Sequence, residues 1–283
     1  MTDSRTVAAQ IRMRLPSLTP LEAKVADNVL ARKSLDVKMS LKEVADGSGV
    51  SEAMVVKVAK KLGFSGFRGF RQGLIDYYQD ETAGLYSEIS ADDSSTEIVQ
   101  KVFRASMQAS EETFAILDVA VFDRAADLLH CARQRDFYGV GGSAQIARDV
   151  AHKFLRIGIR ASVYDDTHMM AMSANLLGPG DLAIAFSHSG RSSGLVDAVQ
   201  FAKNNGASII AVSNYDTGPI AELSDVVLCS TARGSPLTGE NAAARIAQLN
   251  IMDAVFIAVA QKGYAQAESN LSRTMAAVHT KRK

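Results

Sequence analysis

The chain is poor in the residues that staple small folds or hold metal ions. It has two cysteines, five prolines and no tryptophan among 283 residues. Cys131 and Cys229 lie far apart and belong to no cluster with metal-ligand spacing. We therefore expect two buried or half-buried free thiols and no metal site. The remaining composition, 47% hydrophobic and 22% charged residues, is typical of a soluble globular protein.

Long apolar runs are also missing. The longest uncharged, mostly apolar runs fall far short of the roughly 18–20 residues that span a bilayer. The first residues, MTDSRTVAAQIRMR, have no apolar stretch after their charges that would indicate a secretion signal. We therefore expect a cytoplasmic protein that has no membrane partner.

The chain has no net charge, because 31 Lys and Arg balance 31 Asp and Glu, but the charges are unevenly divided. Residues 1–80 carry 13 basic residues against 9 acidic ones, and residues 81–283 carry 18 against 22. A chain of this length is also long for one compact unit. We expect two parts with different partners, the first of them mildly basic.

The first 80 residues carry helix signals and no convincing strand. Thr19 is expected to cap a helix over residues 19–32, with Pro20 in its first turn and Glu22 at capping-box spacing. Ser40 and Ser51 are expected to cap two further short helices. Helical pattern then continues to about residue 78, and ADDSSTE, residues 91–97, is the expected linker. We expect the domains to span residues 1–80 and 111–283, with a linker and connecting helix over 81–110.

The run SLKEVADGSGVSEAMVVKVAKKLGFSGF, residues 40–67, predicts two short helices joined by a tight turn. Ala45 and Val50 are expected to fill the contact between them. The second helix carries three lysines and one acid, which suits insertion into a DNA major groove. The alternative is a small helical bundle whose lysines are merely solvated. The residues expected to face DNA are Ser40, Ser51, Glu52, Met54, Lys57, Lys60, Lys61 and Arg68.

In the second half, apolar β runs alternate with helical patterns of about 10–15 residues. This alternation is typical of a parallel sheet with both faces covered. We expect a doubly wound, flavodoxin-like α/β domain of about five parallel strands behind an all-α helix-turn-helix domain. The expected strands lie in FYGVG, IRASVYDD, LAIAFS, ASIIAVSN and DVVLCS.

Two segments of this half share a strand end, a glycine turn and a helix start. They are GVGGSAQ, residues 139–145, and FSHSGRSS, residues 186–193. Both turns should lie at the carboxyl edge of the sheet, where helix N-termini and serine hydroxyls form an anion site. The first lacks the third glycine of a dinucleotide fingerprint and the Gly-Lys-Ser/Thr of a P-loop, so we expect no nucleotide cofactor. The alternative is a pair of ordinary turns with serine caps.

Two patterns resemble known families. AxxxGVSEAxVVxxxKKLGFSGF resembles the N-terminal domain of RpiR-family bacterial transcription regulators, although the family has Thr, Arg and Phe where this chain has Met54, Lys57 and Val58. S-x-S-G-x-S at 187–192 resembles the SIS domain, a phosphosugar-binding α/β module, over about residues 125–265. The resemblance implies that serines of the two loops hold a phosphate. The expected phosphosugar ligands are Gly142, Ser143, Ser187, His188, Ser189, Gly190, Ser192 and Glu240.

The resemblance implies a DNA-binding repressor of sugar metabolism, paired into a homodimer or homotetramer, whose phosphosugar effector changes its affinity for the operator. Glu240, Arg245, His168 and His188 are less certain contacts of the sugar, and Glu240 could equally be a capping acid. The alternative is an aldose–ketose sugar-phosphate isomerase with a helical N-terminal extension. Glu240 or His188 would then be its base. A pure protein-interaction module would leave the two serine loops unexplained.

Overall fold

The computed structural model describes residues 4–30, 39–81, 89–232 and 242–279. The chain divides into two compact units, Met1–Ile116 with Thr231–Ala243, and Leu117–Ser230 with Ala244–Lys283. The strands of the described residues all lie in the second unit.

Side-chain caps define where three helices of the first unit begin. Thr19 and Glu22 form a capping box, in which the Thr19 N–H donates to Glu22 Oε2 at 2.8 Å. Ser40 and Glu43 form a second one, and Ser51 accepts a hydrogen bond from the backbone three residues on at 3.3 Å. The three predicted helix starts are confirmed. The helices are α1 Ser4–Arg14, α2 Pro20–Leu30, α3 Leu41–Ser48, α4 Glu52–Lys61, α5 Phe67–Glu81 and α6 Ser95–Ile116.

One apolar core joins α1 to α5 of the first unit. Val44 of α3, Val55 of α4 with Leu62 at its C-terminal cap, and Phe70 and Leu74 of α5 are buried together in it. On α4 the buried positions follow the helical repeat, so the opposite face of this helix is left to solvent.

The start of α6 differs from the expected linker. The Ser94 N–H donates to Glu97 Oε2 at 2.8 Å, and the Glu97 N–H donates back to Ser94 Oγ at 3.4 Å. This capping box begins a helix, so the expectation of a linker is wrong for residues 95–97. The domain boundaries after residues 80 and 110 stay predictions, and the second of them falls inside α6.

Polar contacts connect the first and last helices of the first unit. Arg12 of α1 forms an ion pair with Glu112 of α6, whose side chain is buried. Thr113, the next residue, accepts a hydrogen bond from the Thr231 N–H at 3.0 Å, and Arg12 Nε donates to Thr231 Oγ1 at 3.3 Å. The buried polar side chains of Glu112 and Thr113 are thus paired, because an unpaired polar group in the protein interior would be costly.

Strands and helices alternate through the second unit, as the apolar runs predict. Two of its helices, α11 and α13, have no counterpart in the sequence-based expectation. The elements are α7 Val119–Cys131, β1 Arg135–Gly139, α8 Gly142–Arg156, β2 Ser162–Tyr164, α9 Thr167–Ala174, β3 Leu182–Ser187, α10 Ser193–Asn204, β4 Ser208–Ser213, α11 Pro219–Leu223, β5 Val226–Cys229, α12 Ala242–Lys262 and α13 Tyr264–His279.

The five strands form one parallel sheet in the order β2-β1-β3-β4-β5. The order reverses between β1 and β3, which is the switch point of a flavodoxin-like sheet. At this point Gly139 of β1 pairs with Phe186 of β3. The next residue of β3, Ser187, pairs with Ser213 of β4. The expected fold, an all-α helix-turn-helix region followed by a doubly wound α/β domain, is confirmed.

Helices cover the sheet on both faces. Phe137 and Phe186 point to one face, where they pack with Phe154 of α8 and with α7 and α12. Tyr138 and Ala185 point to the other face, where α9 and α10 lie. Every residue of β3 is buried, which explains why LAIAFS reads as a continuous apolar run.

Helix α12 is long and apolar enough to cross a membrane by length and composition, with a mean hydropathy of 1.5 over its most apolar window. It is the one such helix among the described residues. Ile251, Met252 and Val255 of this helix are buried in the core of the second unit. A core helix of a globular domain has the same composition, so this feature alone is weak support for a membrane span.

Phe137→Ala tests the core of the second unit. Phe137 is fully buried between Phe154 and Phe186, with ring centroids 6.4 and 6.0 Å away. We expect its removal to lower the free energy of unfolding by about 3–5 kcal/mol in a urea titration. The control is Leu176→Ala, at a side chain that is 86% exposed, where we expect less than about 0.5 kcal/mol. Equal losses in the two variants would contradict this packing.

Candidate functional site

A glycine turn connects β1 to α8. Gly141 has a φ of 60° and occupies the cap position of α8, where it brings no side chain. The backbone of Ser143 donates to the Val140 carbonyl at 3.2 Å, which closes the turn tightly. Gly142 is exposed and Ser143 half-buried. The N-terminus of the 15-residue helix α8, with its partial positive charge, is therefore open toward solvent at this turn.

A close approach explains one glycine that the sequence analysis passed over. A Cβ atom on Gly139 would lie 2.9 Å from the carbonyl carbon and oxygen of Ser143. Any side chain at the last residue of β1 would therefore push away the first turn of α8. Gly139 fixes how near the helix N-terminus comes to the sheet edge.

The loop between β3 and α10 is held by its own hydroxyls. Ser187 Oγ accepts a hydrogen bond from the Gly190 N–H at 3.0 Å, and Ser189 Oγ accepts one from the Arg191 N–H at 3.3 Å. Gly190 has a φ of 65°, the left-handed conformation that favours glycine. Ser192 occupies the cap position of α10, but its hydroxyl makes no capping hydrogen bond. Each hydroxyl that accepts from the backbone still has its own O–H to donate.

The two loops begin side by side. Gly139 at the end of β1 is paired with Phe186, one residue before the end of β3. Arg245 of α12 also lies here, with its guanidinium 3.8 Å from the position that a Cβ on Gly142 would occupy. Two helix N-termini, serine hydroxyls and one cation therefore share one edge of the sheet. This combination suits an anion.

His188 lies at the back of the β3–α10 loop. Its carbonyl accepts hydrogen bonds from the Asn214 N–H at 3.2 Å and from Ser213 Oγ at 3.4 Å, and its ring packs against Tyr215 with centroids 6.1 Å apart. The histidine is half-buried. These contacts anchor the loop to the end of β4.

A chain of buried polar side chains beside this loop was missed in the sequence analysis. Gln248 of α12 donates to Ser230 Oγ at 3.2 Å, and Ser230 donates to the Asn214 side chain. The Tyr215 N–H donates to Ser213 Oγ at 3.2 Å. The available signal was the run of polar residues directly after apolar strands, in SN of ASIIAVSN and S of DVVLCS.

Two expected sugar contacts, Glu240 and His168, remain. Glu240 lies outside the described residues. His168 is exposed at the start of α9. Its backbone N–H donates a hydrogen bond to the Asp166 carboxylate at 3.0 Å. Of the two free cysteines, Cys229 is half-buried as expected, and burial raises the pKa of its thiol to about 12. Cys131 is exposed, so the expectation of a buried or half-buried thiol is wrong at that position. The described residues contain no cluster of metal-ligating side chains.

The first unit contains a helix-turn-helix. Helix α3 ends at Ser48, Gly49 adopts a left-handed φ of 64°, and the Val50 N–H donates to the Ala45 carbonyl at 3.0 Å. Ser51 then caps α4. The turn is as short as a DNA-binding helix-turn-helix requires.

The side chains expected to face DNA are not equivalent in the structure. Ser51, Glu52, Lys57, Lys60, Lys61 and Arg68 are exposed, and Ser40 is half-buried in its capping box. Met54 is half-buried and packs against the helical core, so it offers only part of its surface to a partner. Lys57 and Lys61 are ion-paired with Glu22, which the sequence analysis treated only as a capping residue.

Two known domains match the chain. The helix-turn-helix domain of the rpiR family matches residues 5–81, and the SIS domain matches residues 128–265. The fold and these matches define the class: a transcriptional regulator that joins a helix-turn-helix to a SIS domain.

Relatives extend the match to nearly the whole chain. The HTH-type transcriptional regulator RpiR of Escherichia coli (strain K12) is 44% identical over 272 residues, which are 96% of this chain and 92% of the relative. The chain therefore belongs to the RpiR family of transcriptional regulators. The expectation of a regulator is confirmed, and the isomerase alternative is set aside.

Solved structures share the fold. The Vibrio vulnificus NanR protein complexed with ManNAc-6P has a TM-score of 0.62 at 23% identity, over 96% of this chain and 98% of that one. The sugar isomerase domain of an RpiR transcription factor from Sphaerobacter thermophilus has a TM-score of 0.58 at 20% identity, over 62% of this chain and 97% of that one.

Gly139→Ala tests the approach of α8 to the sheet edge. The added Cβ would meet backbone atoms of Ser143 at 2.9 Å, so the first turn of α8 must move. We expect a loss of about 1–3 kcal/mol in the free energy of unfolding, measured by urea titration. The control is Gly178→Ala, whose added Cβ would lie 3.9 Å from its nearest neighbour, the Asn205 carbonyl oxygen. A Gly139 variant as stable as this control would show that the contact is not tight.

Proposed function

We propose that the chain represses genes of sugar metabolism and releases its operator when a phosphosugar binds at the carboxyl edge of the sheet. The observation that carries the proposal is the pairing of Gly139 with Phe186, because it brings two serine-bearing helix N-termini to the same place. The proposed ligands are Gly142, Ser143, Ser187, His188, Ser189, Gly190, Ser192 and Glu240.

The chemistry of this edge favours a phosphate monoester over an uncharged sugar. Backbone N–H groups at the two helix starts and the hydroxyls of Ser143, Ser187, Ser189 and Ser192 are donors, and Arg245 adds a full positive charge. The NanR relative is described as complexed with ManNAc-6P, a phosphosugar, which supports the same class of ligand here. The identity of the sugar would depend on groups beyond the phosphate.

DNA binding is assigned to α4 and its flanks. The proposed contacts are Ser40, Ser51, Glu52, Met54, Lys57, Lys60, Lys61 and Arg68. A helix presented by a tight turn, with its cationic side exposed, fits the major groove. Arg68, at the start of α5, suits a phosphate contact that sets position without reading sequence.

Effector and operator are proposed to be coupled through the assembly. SIS domains pair, so we assign a homodimer or homotetramer in the cytoplasm, without a membrane partner. A phosphosugar that binds one arrangement of the assembly better than another shifts the spacing of its two recognition helices. Couplings of this kind are typically about 1–3 kcal/mol. Half-site spacing on DNA then decides how well the operator is held.

Ser189→Ala tests the effector site. Unmodified protein at an effector concentration of about 100 times the dissociation constant should gain about 2.7 kcal/mol of stability in thermal unfolding. One member of a phosphosugar panel should produce this shift, and its unphosphorylated sugar should not. We expect Ser189→Ala to lose most of the shift and keep operator binding. Ser208→Ala, at the opposite edge of the sheet, is the control and should respond as the unmodified protein does.

If no phosphosugar stabilises the unmodified protein, the two loops are ordinary turns. If Ser189→Ala keeps the full shift, the hydroxyl does not contact the ligand.

Lys60→Ala tests the DNA site. Lys60 is exposed on α4. Loss of one phosphate contact should weaken binding to every DNA sequence and reduce the slope of log affinity against log salt by about one. Fluorescence anisotropy over a salt series measures both, with an operator selected from random DNA by the unmodified protein. Lys262→Ala, on α12, is the control. An unchanged salt slope for Lys60→Ala would place this lysine away from the phosphates.

A further inference from the structure

Glu22 of α2 lies under the DNA-facing helix α4. Its side chain is 1% exposed. Oε1 lies 3.1 Å from Lys57 Nζ, and Oε2 lies 2.8 Å from Lys61 Nζ. Oε2 also accepts the Thr19 N–H of its own helix cap at 2.8 Å. One buried carboxylate therefore joins α2 to α4 through two lysines and also closes the cap of its own helix.

A buried carboxylate is costly unless it is paired, and this one is fully paired. The hydrogen bond from Lys61, then the backbone N–H of Thr19 and the hydrogen bond from Lys57, lower the pKa of Glu22 from 4.5 to about 2. The carboxylate is therefore ionised throughout the physiological pH range, and both lysines face a negative charge there.

The spacing of the two lysines gives this ion pair a geometric effect. Lys57 and Lys61 are four residues apart, so they lie on one face of α4, one above the other. One contact on this face opposes rotation of α4 about its own axis, and the second, one turn away, also opposes tilting of the helix about the first. Their side chains are still 66% and 34% exposed, and each ammonium has three donors, so both can also reach a phosphate.

We propose that Glu22 is a positioning residue for DNA recognition, which holds α4 through Lys57 and Lys61 at the angle that reads the operator. The proposal rests on the proposed function, since it assumes that α4 enters the major groove. Glu22 also removes part of the free positive charge that would bind any DNA. Its effect should therefore be on the choice between operator and random DNA, more than on binding as such.

Glu22→Gln tests whether Glu22 acts by positioning α4, and not only by stabilising the fold or by its charge. The exposed residue Asp27, on the same helix, supplies the matched control, because Asp27→Asn changes the net charge by the same amount. Anisotropy titrations would use the full-length protein, a selected operator and random DNA of equal length, over a salt series. Thermal unfolding of each variant runs in parallel.

We expect Asp27→Asn to strengthen binding slightly and equally to both DNAs. Glu22→Gln should bind random DNA as well as the unmodified protein or better, because two lysines are released from the carboxylate. It should bind the operator more weakly, so that the ratio of operator to random affinity falls about tenfold, comparable with one mismatched base pair. A purely structural role would lower both affinities together with the unfolding temperature. That result, or an unchanged ratio, overturns the proposal.

Glu22→Asp decides the matter if Glu22→Gln does not fold. It keeps the charge, but its side chain is one methylene shorter and cannot reach both lysines as glutamate does. The affinity ratio should fall without a change in salt slope, and an unchanged ratio overturns the positioning role. Failure of the proposed function would give a different result, because the unmodified protein would then select no operator from random DNA. The positioning role would be rejected together with that function.

Discussion

The parallel register of β1, β3 and β4 is the constraint on which the second unit depends. Because neighbouring strands run the same way, their carboxyl ends share one edge, and the order reversal between β1 and β3 opens a crevice there. The buried β3 packs on both faces and leaves no freedom of register, since a slip by one residue would exchange Phe186 and Ala185 between the faces. The positions of the β1–α8 and β3–α10 loops therefore follow from this strand pairing.

The helical unit meets a different constraint. Its recognition helix is short, and short helices are marginal in isolation. Caps at Ser40 and Ser51 define the helix starts, buried valines and Leu62 attach α4 to the core, and the Glu22 ion pairs join α4 to α2. The position of α4 therefore depends on groups packed beneath it, as well as on its own exposed face.

Most of the fold could be predicted because its signals are local. LAIAFS predicts β3 with its observed bounds, and two capping boxes and the Ser51 cap predict three helix starts, since these signals depend on residues within one turn or one strand. The prediction of a linker was wrong at residues 95–97. There the capping box of Ser94 and Glu97 starts a helix in spite of the polar composition. Helices α11 and α13 were not predicted, because α11 has only five residues, too few to show a helical repeat, and α13 lies beyond the last expected helix.

The site residues could be predicted only in part, because a sequence shows local signals and not contacts between distant positions. The serine loops and the exposed lysines follow from nearby residues. The pairing of Glu22 with Lys61 joins positions 39 apart, and that of Gln248 with Ser230 joins positions 18 apart, so neither is visible as a local pattern. Gly139 was passed over because a close approach between a strand and the following helix is a property of packing.

The hydrogen bonds inside the β3–α10 loop have an entropic consequence. With Gly190 already in its left-handed conformation and Ser187 and Ser189 already bonded to the backbone, the loop has few conformations left to lose. An incoming ligand would be spared much of the ordering cost that flexible loops impose, so more of its contact energy would remain as affinity.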